Sequence, residues 1–290
     1  MNIFVTGAAG FVGSAVVREL LAAGHQVTGL ARSDGNAQTL AAMGARVHRG
    51  ALQDLDSLAR GAVESDGVIH TAFIHDFSNY AASVEADQRA IEALGQALAG
   101  SGRPLLVTSG TRRVPGGASA TEDLPADSNF PRRSEQAALP FATRGVRVAV
   151  VRLPPTVHGA GDHGFVPELI RIARATGVAA YVGDGRNRWA AVHRLDAARA
   201  FRLALEKAPA ATRVHAVAEE GIATKEIAAV MGRRLGLPVT SKPADHFGWL
   251  GTFVAMDLPT ASQQTRALLG WQPVEKGLLD DLDSAAYFPA

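Results

Sequence analysis

The chain contains no cysteine, which excludes disulfides, thiolate nucleophiles and cysteine-based zinc sites. Tyrosine is scarce, and none stands between Tyr80 and Tyr181. Lysine is absent from the N-terminal part, where the first is Lys207, so arginine carries the fixed positive charge there. The formal net charge is +1, which gives no electrostatic case for nucleic acid or for an anionic membrane surface. No apolar run approaches the roughly 20 residues that span a bilayer. The first residues read as a core strand, not as a basic stretch followed by the apolar segment of a signal peptide. A cytoplasmic location is the expectation. No His-x-x-x-His spacing occurs, so no metal site is expected. With 47% hydrophobic and 20% charged residues, 290 residues can bury a full globular core.

What is present concentrates at the N-terminus. Ile3 to Val5 reads as a short buried strand, the segment Gly7-Ala-Ala-Gly10-Phe-Val-Gly13 follows, and Ser14 to Ala23 has helical periodicity. Strand, glycine turn and helix in that order are the context in which a glycine triplet signals dinucleotide binding. Gly7 permits a tight turn, Gly10 lets backbone approach a pyrophosphate, and Gly13 lets the helix pack on the strand. With Phe11 and Val12 they form the expected cofactor turn, whose helix N-terminus faces phosphate charge.

Beyond it, strand-like and helix-like segments alternate. Strands are expected at 26–31, 46–48, 67–71, 104–108 and 146–152, and helices at 37–43, 56–64, 77–99 and 134–143. This alternation predicts an α/β fold, a doubly wound parallel sheet of Rossmann type. Residues 1–154 are read as its dinucleotide-binding domain. Residues 155–290 are read as mostly a smaller C-terminal substrate lobe, with some segments returning to the sheet. In that part 165–176 and 196–208 look helical, and Thr224 is the expected N-cap of 225–235. Pro140 falls inside the helix from Ser134, where it should kink or end it.

The residue closing the second strand meets the adenosine ribose in such folds. An acid there suits a free 2′-hydroxyl, whereas arginine suits a 2′-phosphate. Arg32 stands nineteen positions after Gly13, followed by Ser33 with a further hydroxyl donor, which predicts NADP(H) over NAD(H). The bland alternative is a solvated arginine at a strand end, and Asp34 adds an opposite charge nearby.

Thr6-Gly-Ala-Ala-Gly-Phe-Val-Gly13 resembles the fingerprint of extended and atypical short-chain dehydrogenases/reductases, the epimerase/dehydratase-like group. The resemblance continues through Gly50-Ala-Leu-Gln-Asp54, Val68-Ile-His-Thr-Ala-Phe73, Val151-Arg-Leu-Pro-Pro-Thr-Val-His-Gly159, Val182-Gly-Asp-Gly185 and Leu269-Gly-Trp-Gln-Pro273. It implies that Leu52, Ala72, Phe73 and Pro154 line the cofactor. It also implies a homodimer seam on the helices from Phe77 and Ser134, in which Pro140 falls. The family's Tyr-x-x-x-Lys is missing. By register Asp127 takes the Tyr position, Pro131 the Lys position and Gly110 the place of the preceding catalytic hydroxyl.

Other groups must then serve a substrate. Ser109 and Thr111 flank Gly110 and can hydrogen-bond a substrate oxygen, or satisfy their own loop instead. Arg132 and Arg133 lie near the missing Lys, and Arg133 is the candidate for steadying developing negative charge. His158 falls at the nicotinamide edge by resemblance and is the candidate proton donor. His75, Tyr181, Trp189 and His193 are candidate substrate-pocket residues, with His163 close by; each has a structural role as its alternative. The expected function is an NADP(H)-dependent oxidoreductase that reduces a carbonyl or imine, or oxidises the matching alcohol. A redox-inactive NADP(H)-binding regulator is the rival, and sugar-nucleotide epimerase or dehydratase chemistry fits less well without the Tyr.

Overall fold

The protein is described by a computed structural model covering residues 1–76, 79–126 and 132–288. The expected helix start at Phe77 and the register positions Asp127 and Pro131 lie outside these residues.

Seven parallel strands form the main sheet. They are β1 (Asn2–Thr6), β2 (Gln26–Ala31), β3 (Arg46–Arg49), β4 (Gly67–His70), β5 (Pro104–Gly110), β6 (Arg147–Leu153) and β10 (Thr212–His215). Their spatial order is β10-β6-β5-β4-β1-β2-β3. The order reverses direction between β1 and β4, and a crevice opens at the carboxyl ends of the strands there. Six strands come in sequence, and β10 returns from the C-terminal part.

The strands are apolar on both sides because helices cover both faces. On one face Ile3, Val5, Leu106 and Val151 pack with α1 (Phe11–Ala22) and α7 (Arg194–Lys207). On the other, Phe4, Val68, Val107 and Val150 pack with α3 (Leu55–Val63), α4 (Tyr80–Leu98) and α5 (Ser134–Ala138). The short α2 (Asp34–Ala42) adds Ala37 and Leu40 to the first face.

A second core lies beyond residue 155. It includes Trp189 of β9 (Arg188–His193), Ile170 of α6 (Phe165–Thr176), Ile227 of α8 (Thr224–Leu235) and Leu282 of α11 (Leu278–Leu282). β9 sits between β7 (Thr156–His158) and β11 (Glu219–Ala223), and β8 (Ala179–Tyr181) pairs with β12 (Val239–Ser241). The short helices α9 (Gly251–Val254) and α10 (Gln263–Leu269) complete the chain.

Several expected boundaries shift for identifiable reasons. The first helix begins at Phe11 rather than Ser14, because Gly10 itself is its N-cap. Helix α8 begins at Thr224, with Ala223 as N-cap. Thr224 Oγ1 donates to Asn187 instead of capping, and Glu226 accepts from the Ala223 N–H. Pro140 acts as expected: the α-helix stops at Ala138 and a 3-10 turn, Leu139–Arg144, takes over.

The end of β6 is fixed by a buried ion pair. Arg152, fully buried, donates from Nε and Nη2 to Glu135 of α5 at 2.7 and 2.8 Å and also reaches the Leu124 carbonyl. Burial alone would raise the Glu135 pKa, but Arg152, Arg112 and Arg213 outweigh it and hold the group below its ordinary value. Removing one partner of such a pair strands a buried charge. Glu135→Ala should therefore cost about 3–5 kcal/mol in urea unfolding, and a loss under about 1 kcal/mol would show that Arg152 finds other compensation.

Candidate functional site

Three glycines shape the turn after β1, and they do different things. Gly7 has φ +68°, and a Cβ there would meet Ala72 N at 2.7 Å. A Cβ on Gly13 would stand 2.0 Å from the Gly7 carbonyl oxygen. The chain's own packing demands these two glycines. Gly10 is another case: its Cβ would meet only the Gly7 oxygen, at 3.1 Å. The space a side chain at Gly10 would fill lies before the N-terminus of α1, which has no side-chain cap and no acid in its first turn. First-turn N–H groups need an acceptor, and this cradle suits the pyrophosphate of a dinucleotide.

At the end of β2, Arg32 and Ser33 are exposed. Ser33 N-caps α2 and accepts from the Asn36 N–H, so its own proton remains to be donated. Asp34 pairs with Arg49 at 2.7 Å, whereas Arg32 has no ion pair among the described residues. Leu52 is buried against the adjoining core. Ala72 and Phe73 follow β4, and Pro154 follows β6.

Below the crevice runs a buried polar chain. Thr6 Oγ1 and His70 Nδ1 are 2.8 Å apart, and His70 Nε2 is 3.2 Å from Asp87 Oδ1. Ser134 Oγ donates to Asp87 Oδ2 at 2.5 Å. Arg132 donates from Nε to Ser134 Oγ at 2.8 Å and from Nη2 to Asp87 Oδ1 at 3.4 Å. An ionised carboxylate only accepts, so with a neutral ring Nε2 carries the His70 proton and the Thr6 hydroxyl donates to Nδ1; the network assigns this tautomer. Asp87 is fully buried. Burial alone would raise its pKa, but Arg132, His70 and Ser134 together hold it below the ordinary carboxylate value.

That carboxylate aims Arg132 at the strand ends. The guanidinium carbon lies 4.3 Å from the Phe73 ring centroid. Phe73 in turn packs against His75 and Tyr80, with centroids 5.2 and 5.9 Å away. Burial, Arg132 and His163 all lower the His75 pKa. Arg133, the arginine expected to act, is placed differently. It is the exposed N-cap residue of α5 and lines a surface hollow with Gln88, Glu92 and Pro140. One residue's difference turns the side chain from the crevice to the outer face, because the buried Asp87 engages only Arg132. Ser109 and Thr111 are both buried at the end of β5. Ser109 Oγ finds no hydrogen-bond partner among the described residues.

The C-terminal part distributes its expected site residues unevenly. His158 is fully buried, not at an open edge: Nδ1 is 2.8 Å from Asp281 Oδ2 of α11, and Nε2 has no partner among the described residues. Burial lowers its pKa against the opposing pull of Asp281. Trp189 is fully buried between Phe165 and Phe253. His193 caps α7 through Nδ1 and packs against His158. Tyr181 is half-buried at the end of β8. His163, by contrast, reaches across to the glycine turn, its ring 5.6 Å from that of Phe11. Among the described residues no three potential ligands gather into a metal site, and no helix is long and apolar enough to cross a membrane.

The model of the NAD dependent epimerase/dehydratase family matches residues 3–217. The chain belongs to this family. An uncharacterized protein of Schizosaccharomyces pombe is 52% identical over 99% of this chain and 100% of its own length. A 2-alkyl-3-oxoalkanoate reductase of Stenotrophomonas maltophilia is 31% identical over 71% of this chain and 66% of its own. The fold matches a dTDP-glucose 4,6-dehydratase from Streptomyces venezuelae, solved with NAD bound, with TM-score 0.77 and 22% identity over 99% and 96% of the two chains.

The glycine turn gives a direct test of the cradle. Gly10→Val should leave the thermal unfolding midpoint within a few degrees of wild type while dinucleotide binding, followed by ligand fluorescence, disappears. Unchanged affinity would remove the cofactor from the α1 N-terminus.

Proposed function

We propose that the protein is an NADP(H)-dependent oxidoreductase that reduces a carbonyl or imine, or oxidises the matching alcohol. Two observations support this reading: Ser109, at the end of β5, has a buried hydroxyl with no partner among the described residues, and Arg132 is held by Ser134 and Asp87 against Phe73, which follows β4. The printed name of the Stenotrophomonas relative describes reduction of a 3-oxo group, which agrees in reaction class.

Gly7, Gly10, Phe11, Val12 and Gly13 would hold the pyrophosphate, Arg32 and Ser33 a 2′-phosphate, and Leu52, Ala72, Phe73 and Pro154 the remaining surfaces. When bound, the nicotinamide supplies or takes the hydride. The protein's own part is to hold the substrate oxygen or nitrogen. A Ser109 hydroxyl already stripped of water gains a full hydrogen bond when a substrate atom meets it, because leaving it unpaired costs free energy. Thr111 adds a second hydroxyl on the same loop. Arg132 stays protonated and favours negative charge gathering on a substrate oxygen. Held by Asp87 and Ser134, it needs little rearrangement to do so.

A proton must also reach the product. Burial lowers the pKa of both His158 and His75, so neither is assigned as its donor, and His75 serves in this reading as a substrate-pocket residue. It adjoins Phe73 and is influenced electrostatically by Arg132 and His163. The absence of the family's Tyr favours imine substrates, because an iminium arrives already activated.

The test is NADPH consumption by purified protein against ketones, aldehydes and cyclic imines, with NADPH binding measured in the same sample. Turnover of at least one class is expected, together with a lower NADPH/NADH preference in Arg32→Asp. Tight binding with no turnover would overturn the enzyme reading in favour of a cofactor-binding regulator. An unchanged preference in Arg32→Asp would overturn the 2′-phosphate assignment.

A further inference from the structure

Helices α1 and α7 run side by side in the same direction, as two contacts at equal sequence offset show. Arg194 lies over Phe11 near their N-termini, its guanidinium carbon 5.1 Å from the ring centroid, and Arg202 donates to Glu19 one pair of turns further on. Two positive helix poles therefore adjoin. Arg194, the first residue of α7, adds a full positive charge where a helix dipole disfavours it. Arg18 repels it further; burial and Arg18 both lower the Arg194 pKa. Neither arginine has an ion pair among the described residues. Asp196, the acid in the first turn of α7, is turned away to the Val274 and Glu275 amides.

The arrangement is nonetheless held in place. Arg194 Nη1 donates to the Ala160 carbonyl at 3.0 Å. A Cβ on Gly159, which has φ +135°, would stand 3.2 Å from Arg194 Cγ, so glycine there admits the side chain. The 159–164 loop is itself anchored from the C-terminus: Tyr287 accepts from the Gly159 N–H and donates to Asp162. The fold thus holds a cation over Phe11, the residue after Gly10, with no carboxylate paired to it among the described residues.

We infer that Arg194, reaching from the C-terminal part of the chain, is a ligand of the cofactor's pyrophosphate and closes the cradle from the side opposite the glycine turn. This rests on the cofactor reading above and extends it to a residue outside the glycine fingerprint. Arg194 serves the diphosphate common to both nicotinamide cofactors, whereas Arg32 serves the 2′ position that distinguishes them. Phe11 is the platform: its backbone lies in the cradle and its ring carries the guanidinium.

The experiment compares wild type, Arg194→Ala and Arg194→Lys by titration with NADPH, NADH and ADP-ribose, together with thermal unfolding without ligand. Loss of one charged phosphate contact should raise the Kd of Arg194→Ala about tenfold for all three ligands alike, with the NADPH/NADH ratio unchanged. Arg194→Lys should recover part of the loss. Without ligand, Arg194→Ala should unfold at the same temperature as wild type or higher, since an unfavourable charge has been removed. Wild-type binding with an unchanged Kd in Arg194→Ala overturns the inference alone, as does a loss confined to one cofactor. A lower unfolding temperature in both variants, with no charge-dependent difference in Kd, assigns Arg194 to structure and overturns it too. Failure of wild type to bind any of the three overturns the cofactor reading along with it.

Discussion

The buried carboxylate of Asp87 is the constraint on which the crevice depends. It lies on α4 and is shared by His70 at the end of β4, Ser134 at the start of α5 and Arg132 just before it. Through His70 the same chain reaches Thr6, the last residue of β1. The two strands that flank the reversal of the sheet are thus tied to the helices that cover one of its faces. A charge buried this completely persists only when paired and hydrogen-bonded. Asp87 therefore selects the arrangement in which a guanidinium is held just beside Phe73. No other carboxylate contacts Arg132 among the described residues.

Positive charge around the crevice is organised in the same economical way. Arg132 is balanced by Asp87, and Arg49 is occupied by Asp34. Arg32 and Arg194 have no ion pair among the described residues. The helix N-termini of α1 and α7 add to the imbalance. A folded chain leaves such charge uncompensated at a cost in its own stability, and a dianionic or trianionic ligand offsets it. The electrostatics thus agree with the open backbone at Gly10, an independent steric observation.

What the sequence discloses follows the range of the forces involved. The glycine turn, β2 and α6 were legible because turn geometry and periodicity act over a few residues. The break at Pro140 was legible because the missing N–H acts locally. The distinction between Arg132 and Arg133 was not, since it depends on Asp87, 45 residues away, and on Phe73. The burial of His158 depends on Asp281, 123 residues distant, which no local pattern connects to it. Trp189 reads equally as a pocket aromatic or a core one until Phe165 and Phe253 are seen against it. Arg194 reaches the Phe11 ring only through the parallel packing of α1 and α7, 183 residues apart in sequence, which no local pattern discloses. That no tyrosine stands between Tyr80 and Tyr181 and no lysine before Lys207 is, by contrast, read directly from the sequence.

The central claim is that an ionised, buried Asp87 fixes Arg132 at the crevice. A carbon-13 NMR titration of the Asp87 carboxyl, in wild type and in Arg132→Met, tests it most directly. The account predicts that the wild-type group titrates below the ordinary carboxylate value of 3.8 and that Arg132→Met moves it upward. An Asp87 that titrates at or above that value in wild type, or that does not respond to loss of Arg132, would contradict it.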